Sequence, residues 1–129
     1  MLAIDTNVVV RYLTGDDPDQ SVRARRIVDG EAVFVTTTVL LETEWVLRGA
    51  YGYRGVRLAG ALTAFAGLPT VTLEAPIVAA AALGALAQGV DFADALHLAG
   101  ARDCAAFVTF DKAFAKAADG LGGVPVRTP

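Results

Sequence analysis

Cysteine and histidine occur once each, as Cys104 and His97. The first scarcity excludes an internal disulfide and a cysteine zinc site, and the second excludes a polyhistidine metal centre. Metal chemistry in this chain therefore has to run on carboxylates. Positive charge is also scarce: 11 Lys and Arg stand against 14 Asp and Glu, giving a net charge of −3 and a pI near 5.0. That balance argues against a broad basic face for duplex nucleic acid but does not exclude an enzyme that concentrates acids around a divalent ion. Lysine is rarer still, only Lys112 and Lys116 beside nine arginines, a bias toward forked phosphate contacts.

Long apolar runs are absent too. The charge-free stretch at residues 75–90, one of the two longest, carries Gln88 and falls short of the ~20 residues that a bilayer span needs, so it reads as a buried core helix. No basic segment precedes the first apolar run, which predicts a cytoplasmic protein without an export signal. What remains is 129 residues, 54% hydrophobic and 19% charged, expected to form one domain over residues 1–129.

The pattern alternates short strands with helices. Strands are expected at 2–4, 32–35, 70–73, 106–110 and 124–126, and helices from 8, at 18–30, 39–50, 56–65, 75–87, 91–101 and 111–118. Asp17-Pro18 is a cap followed by proline at the first helical position, and Arg23, Arg25 and Arg26 lie on the exposed helix behind it. This alternation predicts a mostly parallel sheet of four or five short strands covered by helices on both faces.

In such sheets ligands bind beyond the carboxyl ends of the strands. Asp5 ends the first strand and Asp111 follows Phe107-Val108-Thr109-Phe110, positions that would also suit helix caps. Glu42 has Thr38, Val39, Trp45 and Val46 as its helical neighbours, which predicts that it shares the inward apolar face, where a carboxylate needs a cation or a donor. Glu44 has Arg48 four residues on, a sufficient structural partner, so Glu42 is the candidate. Asp91 and Asp94 open a helix; Asp94, with Ala95, Leu96 and Leu98 after it, is preferred as a ligand, and Asp91 is either a supporting acid or a cap. If Asp5, Glu42, Asp94 and Asp111 meet, each pair at ~5 Å repels by about 3 kcal/mol at an effective dielectric of ~20. Such a cluster calls for Mg²⁺ or Mn²⁺, and the chemistry expected of it is phosphodiester hydrolysis.

Ile4-Asp5-Thr6-Asn7-Val8, Val39-Leu40-Leu41-Glu42, Asp91-Phe92-Ala93-Asp94-Ala95-Leu96 and Val108-Thr109-Phe110-Asp111-Lys112, in that order, resemble the PIN-domain nucleases and, more narrowly, the VapC-type ribonuclease toxins. The resemblance spans nearly the whole chain. It implies a three-layer α/β/α PIN-like fold around a central, mostly parallel sheet, and a Mg²⁺- or Mn²⁺-dependent endoribonuclease, usually dimeric, that acts on RNA and is inhibited by a VapB-type antitoxin. Carried onto this sequence, the catalytic and metal-binding acids fall on Asp5, Glu42, Asp94 and Asp111. Asp5 and Asp94 are then the direct ligands, and Thr109 holds the small-hydroxyl position that orients Asp111 or a water. Asn7 and Asp91 support the site. His97 stands where relatives often have an aliphatic residue; it lies near enough to Asp94 to serve a phosphate, although a locally packed histidine is the commoner arrangement. Arg11, Arg48, Arg54 and Arg57 are candidate RNA contacts, with Tyr51 and Tyr53 interleaved among them to stack on bases or meet an antitoxin.

Two other functions compete. An aspartate-nucleophile phosphohydrolase also places an acid after its first strand, but typically carries another aspartate two residues on, where this chain has Asn7. A catalytically idle partner-binding module would use the same acids as caps.

Overall fold

The computed structural model describes residues 1–129. Its elements are β1 (Leu2–Ala3), α1 (Thr6–Thr14), α2 (Pro18–Gly30), β2 (Val33–Val35), α3 (Thr37–Tyr51), α4 (Gly55–Ala66), β3 (Val71–Leu73), α5 (Pro76–Ala87), α6 (Phe92–Gly100), β4 (Phe107–Val108), α7 (Lys112–Ala118) and β5 (Val126–Arg127). The mixed α/β class and the parallel strands match the expectation, while the five strands divide into a three-stranded and a two-stranded ladder in place of one sheet of four or five. The strands are shorter than the sequence implied, and β5 starts two residues later than its predicted start at 124. The chain packs as two compact units, Met1–Pro76 and Ile77–Pro129.

In the first unit β1, β2 and β3 form a parallel ladder in that order, with Leu2 opposite Val33 and Val33 opposite Val71. Each crossover carries two helices, as parallel pairing requires a long return. β2 is the central strand and has Val33 and Val35 almost fully buried, which is why it reads as continuous apolar sequence. Helix ends follow local chemistry. Asp5, Asp17 and Thr36 cap α1, α2 and α3 through side-chain oxygens, and Gly15 and Gly52 close α1 and α3 in the left-handed region that favours glycine. α1 begins at Thr6, two residues before the predicted start, because the Asp5 carboxylate accepts from the Thr6 amide at 2.7 Å and organises the first turn despite the valines behind it.

The second unit pairs β4 with β5 in parallel, Phe107 opposite Val126. Leu98, Phe114 and Ala118 form its core with Phe107, Leu121, Val124 and Val126 against them. The Phe107 and Phe114 rings meet edge to face at 5.6 Å. α5 corrects an expectation. Only Ala79, Ala82, Leu83, Ala85 and Leu86 are buried while Ile77 is 67% exposed, so this is a one-sided helix and not a fully buried one. Its outward positions are mostly small residues, which hide the boundary between its faces in the sequence. No helix of the chain is long and apolar enough to cross a membrane.

Candidate functional site

In the first unit the end of β1 delivers Asp5 directly into the N-cap of α1, while α3 presents Glu42. These two carboxylates share an open cavity of about 330 Å³ whose wall also includes Thr6, Asn7, Arg11 and Tyr51. The Asp5 oxygen that caps Thr6 leaves the second oxygen of that carboxylate without a helix-capping role. The Thr6 hydroxyl is the one buried side-chain polar atom lacking a hydrogen-bond partner.

Glu42 reaches this cavity by a different route from the one its sequence neighbours implied. The inward stripe of α3 is Leu40, Thr43, Glu44 and Leu47, so Glu42 is exposed and Glu44 is only 2% exposed. Trp45, expected to pack inward, is 63% exposed. The stripe contains a threonine and a glutamate, which disguise it as a polar face. Thr43 settles its hydroxyl on the Val39 carbonyl at 2.7 Å, and Glu44 accepts from the Arg48 guanidinium at 2.8 Å. The pairing of Glu44 with Arg48 was legible from spacing; its burial was not.

Arg11 is held in place over this cavity by a network. It donates to Gln20 at 2.8 Å, to Tyr51 at 3.1 Å and to Asp16 at 3.2 Å, and Tyr51 donates to Asp16 at 2.5 Å. The Tyr51 hydroxyl, then that of Thr14, hold the Asp16 carboxyl below the usual carboxylate range, with the Arg11 charge assisting. A depressed carboxyl pKa contributes stability above its ordinary value and loses it as pH falls through the folded value. Tyr51→Phe is therefore expected to melt below wild type at neutral pH, with the gap closing as the pH is taken well below 3.8. Thermal melts across that range check it, and a gap independent of pH would refute it.

The other arginines expected to contact RNA have local employment. Arg48 is committed to Glu44, Arg54 donates to the carbonyls of Arg48 and Tyr53 at 2.6 and 2.9 Å, and Arg57 lies 3.9 Å above the Tyr53 ring. None of the three lines the Asp5–Glu42 cavity. The sequence drew attention to Tyr51 as a stacking residue and missed Asp16, its partner; Asp16 precedes the cap Asp17 and looks like part of the same turn.

The second unit gathers the remaining acids. Asp91 caps α6 through the Asp94 amide at 3.1 Å, and Asp111 caps α7 through the Phe114 amide at 2.9 Å. Thr109 accepts from the Asp111 amide at 3.0 Å, fixing the turn that presents this acid. Burial, and then the charges of Asp91 and Asp111, push the Asp94 carboxyl above its usual range, opposed by His97. His97 itself is exposed on α6.

In neither unit do three His, Cys, Asp or Glu side chains form a ready-made ion cage. The donors present nevertheless suit a hard ion. They are oxygens only, two carboxylates border an open cavity, and Mg²⁺ characteristically takes one or two carboxylates and keeps several waters.

No curated protein matches the chain. The PIN domain family matches residues 2–120, a span that includes every acid described above, and its members are generally metal-dependent nucleases that use divalent ions. With that match the chain belongs to the PIN domain family, and a nuclease-type hydrolase is the kind of function it carries.

Proposed function

We propose that the chain is a Mg²⁺- or Mn²⁺-dependent endoribonuclease, the VapC-type toxin of a toxin–antitoxin pair, working as one PIN-like domain over residues 1–129. The observation that carries this is the shared cavity of Asp5 and Glu42, residues far apart in sequence that line one opening. Asp5, Glu42, Asp94 and Asp111 are the proposed ligands, with Asp5 and Asp94 direct. Thr109 and Asp91 position their neighbours through the amides they hold, and Asn7 sits beside Asp5 on the cavity wall. Arg11, locked by Gln20, Tyr51 and Asp16, supplies a pre-oriented guanidinium for a phosphate.

Hydrolysis adds a water oxygen to phosphorus and breaks one phosphorus–oxygen ester bond; when bound, the divalent ion supplies a water of lowered pKa and offsets charge on the phosphoryl oxygens. The residues' own part is to hold that charge and to orient the phosphate. Because Asp94 favours its proton, ion binding competes with protonation there and strengthens as pH rises. Single-stranded RNA is the proposed substrate, since unstacked bases fit a small site. A VapB-type antitoxin and a second copy of the chain are the proposed protein partners, and the exposed Trp45 and Val56 offer apolar surface to them.

One observation favours a rival, the partner-binding module: Asp5, Asp91 and Asp111 all cap helices. Adding Mn²⁺ while following thermal unfolding separates the two. Ion at about a hundred times its Kd stabilises a binding site by about 2.7 kcal/mol, whereas caps are indifferent to it. The nuclease reading also requires that a single-stranded oligoribonucleotide be cut with Mg²⁺ and spared with a chelator. Neither a melting shift nor cleavage would leave the module standing.

A further inference from the structure

A second cavity, about 500 Å³, lies between α1 and α2 of the first unit. Its wall carries Arg11, Arg23 and Arg26 and no carboxylate, a local reversal of sign in a chain of net charge −3. We propose that this groove carries the phosphate backbone of single-stranded RNA flanking the bond to be cut, a proposal that rests on the ribonuclease function above.

The two cavities adjoin, since Asn7 and Arg11 line both. Arg11 is fixed at their junction by its three partners. Arg23 and Arg26 stand about one turn apart on one face of α2, with Ala24 and Ile27 between and beside them on the same wall. Their charge is available. Arg26 is exposed and makes no hydrogen bond or ion pair, and Arg23 has only Asp19 at 3.4 Å, both side chains being more than 70% exposed. Such a bridge contributes little and yields readily to a phosphate. Arg25 is different: it is absent from this wall and its guanidinium lies near Gly15 instead. Guanidinium forks match phosphate oxygens, and at Arg11 the groove adjoins the cavity where a phosphodiester would be cut. That adjacency favours an RNA strand over an acidic polypeptide.

The test is fluorescence anisotropy of a short labelled single-stranded oligoribonucleotide with the full chain in chelator, from about 50 to 200 mM salt. Arg23→Ala/Arg26→Ala is expected to flatten the plot of log affinity against log salt by about 1.4, which is ~0.7 per lost phosphate contact, and to weaken binding about tenfold at the low end. Arg23→Lys/Arg26→Lys restores most of the slope, and Arg25→Ala leaves it alone. An unchanged slope in the double alanine variant overturns the proposal, as does a wild-type chain that binds no RNA. Binding of poly-glutamate that is lost in the double variant while RNA binding persists assigns the groove to an acidic polypeptide and likewise overturns it. Cleavage of the same oligonucleotide with Mg²⁺ is scored separately. RNA cut normally with the slope unchanged removes the groove and spares the ribonuclease reading; RNA bound through the arginines but never cut removes the ribonuclease and keeps the groove.

Discussion

Asp5→Asn should reduce Mg²⁺-dependent RNA cleavage by about a thousandfold while leaving the melting temperature close to that of wild type. The activity loss follows from removing one charged oxygen ligand, which forfeits several kcal/mol of transition-state charge stabilisation, each ~1.4 kcal/mol being tenfold in rate. The fold survives because the asparagine carbonyl can still accept from the Thr6 amide, now held at 2.7 Å, and asparagine caps helices about as well as aspartate. Asp94→Asn should lose activity similarly but, unlike Asp5→Asn, raise stability at neutral pH. The Asp94 carboxyl is raised in the folded protein, so the native state binds the proton more tightly and is penalised as pH rises above the ordinary value of 3.8. Removing the charge lifts that penalty, raising the neutral-pH melting temperature without metal, with no gain at acidic pH. An oligoribonucleotide cleavage assay and thermal melts measure both. Full metal-dependent activity in Asp5→Asn would refute the site.

The second large effect is on stability. Arg48→Ala should destabilise the protein by about 2–3 kcal/mol, lowering its melting temperature by about 10 °C. Glu44 is buried with its carboxylate 2.8 Å from the Arg48 guanidinium, so truncating Arg48 strands a charge in the inward stripe of α3. The loss sits below the upper range for buried pairs because the Arg48 side chain is 40% exposed and partly screened. Glu44→Gln combined with Arg48→Ala should recover a good part of it, since the uncompensated charge is gone. Calorimetry of the two variants decides; equal destabilisation in both would show that Arg48 acts through packing alone.

Caps and turns were legible because their chemistry is local. Asp17-Pro18 announces α2, Thr36 announces α3, and Asp111 announces α7, each through a side-chain oxygen that accepts a backbone amide within three residues. The candidate acids were legible for the same reason, as polar interruptions at the ends of apolar runs. Less legible were α5, whose outward alanines and glycine look as apolar as its core, and the α2 groove, whose arginines look like ordinary solvated charge until α1 lies beside them. Asp16 could not be told from its neighbour Asp17 without Tyr51, which is 35 residues away.

The sequence by itself determined the alternation of strand and helix, the parallel pairing that such crossovers require, and the helix-capping acids, all properties of segments a few residues long. Tertiary structure alone decided which glutamate of α3 turns inward and which opens onto the Asp5 cavity. A helix face is chosen by total packing, and Glu44 can be buried only because Arg48 reaches it, so two glutamates with near-identical local patterns take opposite sides.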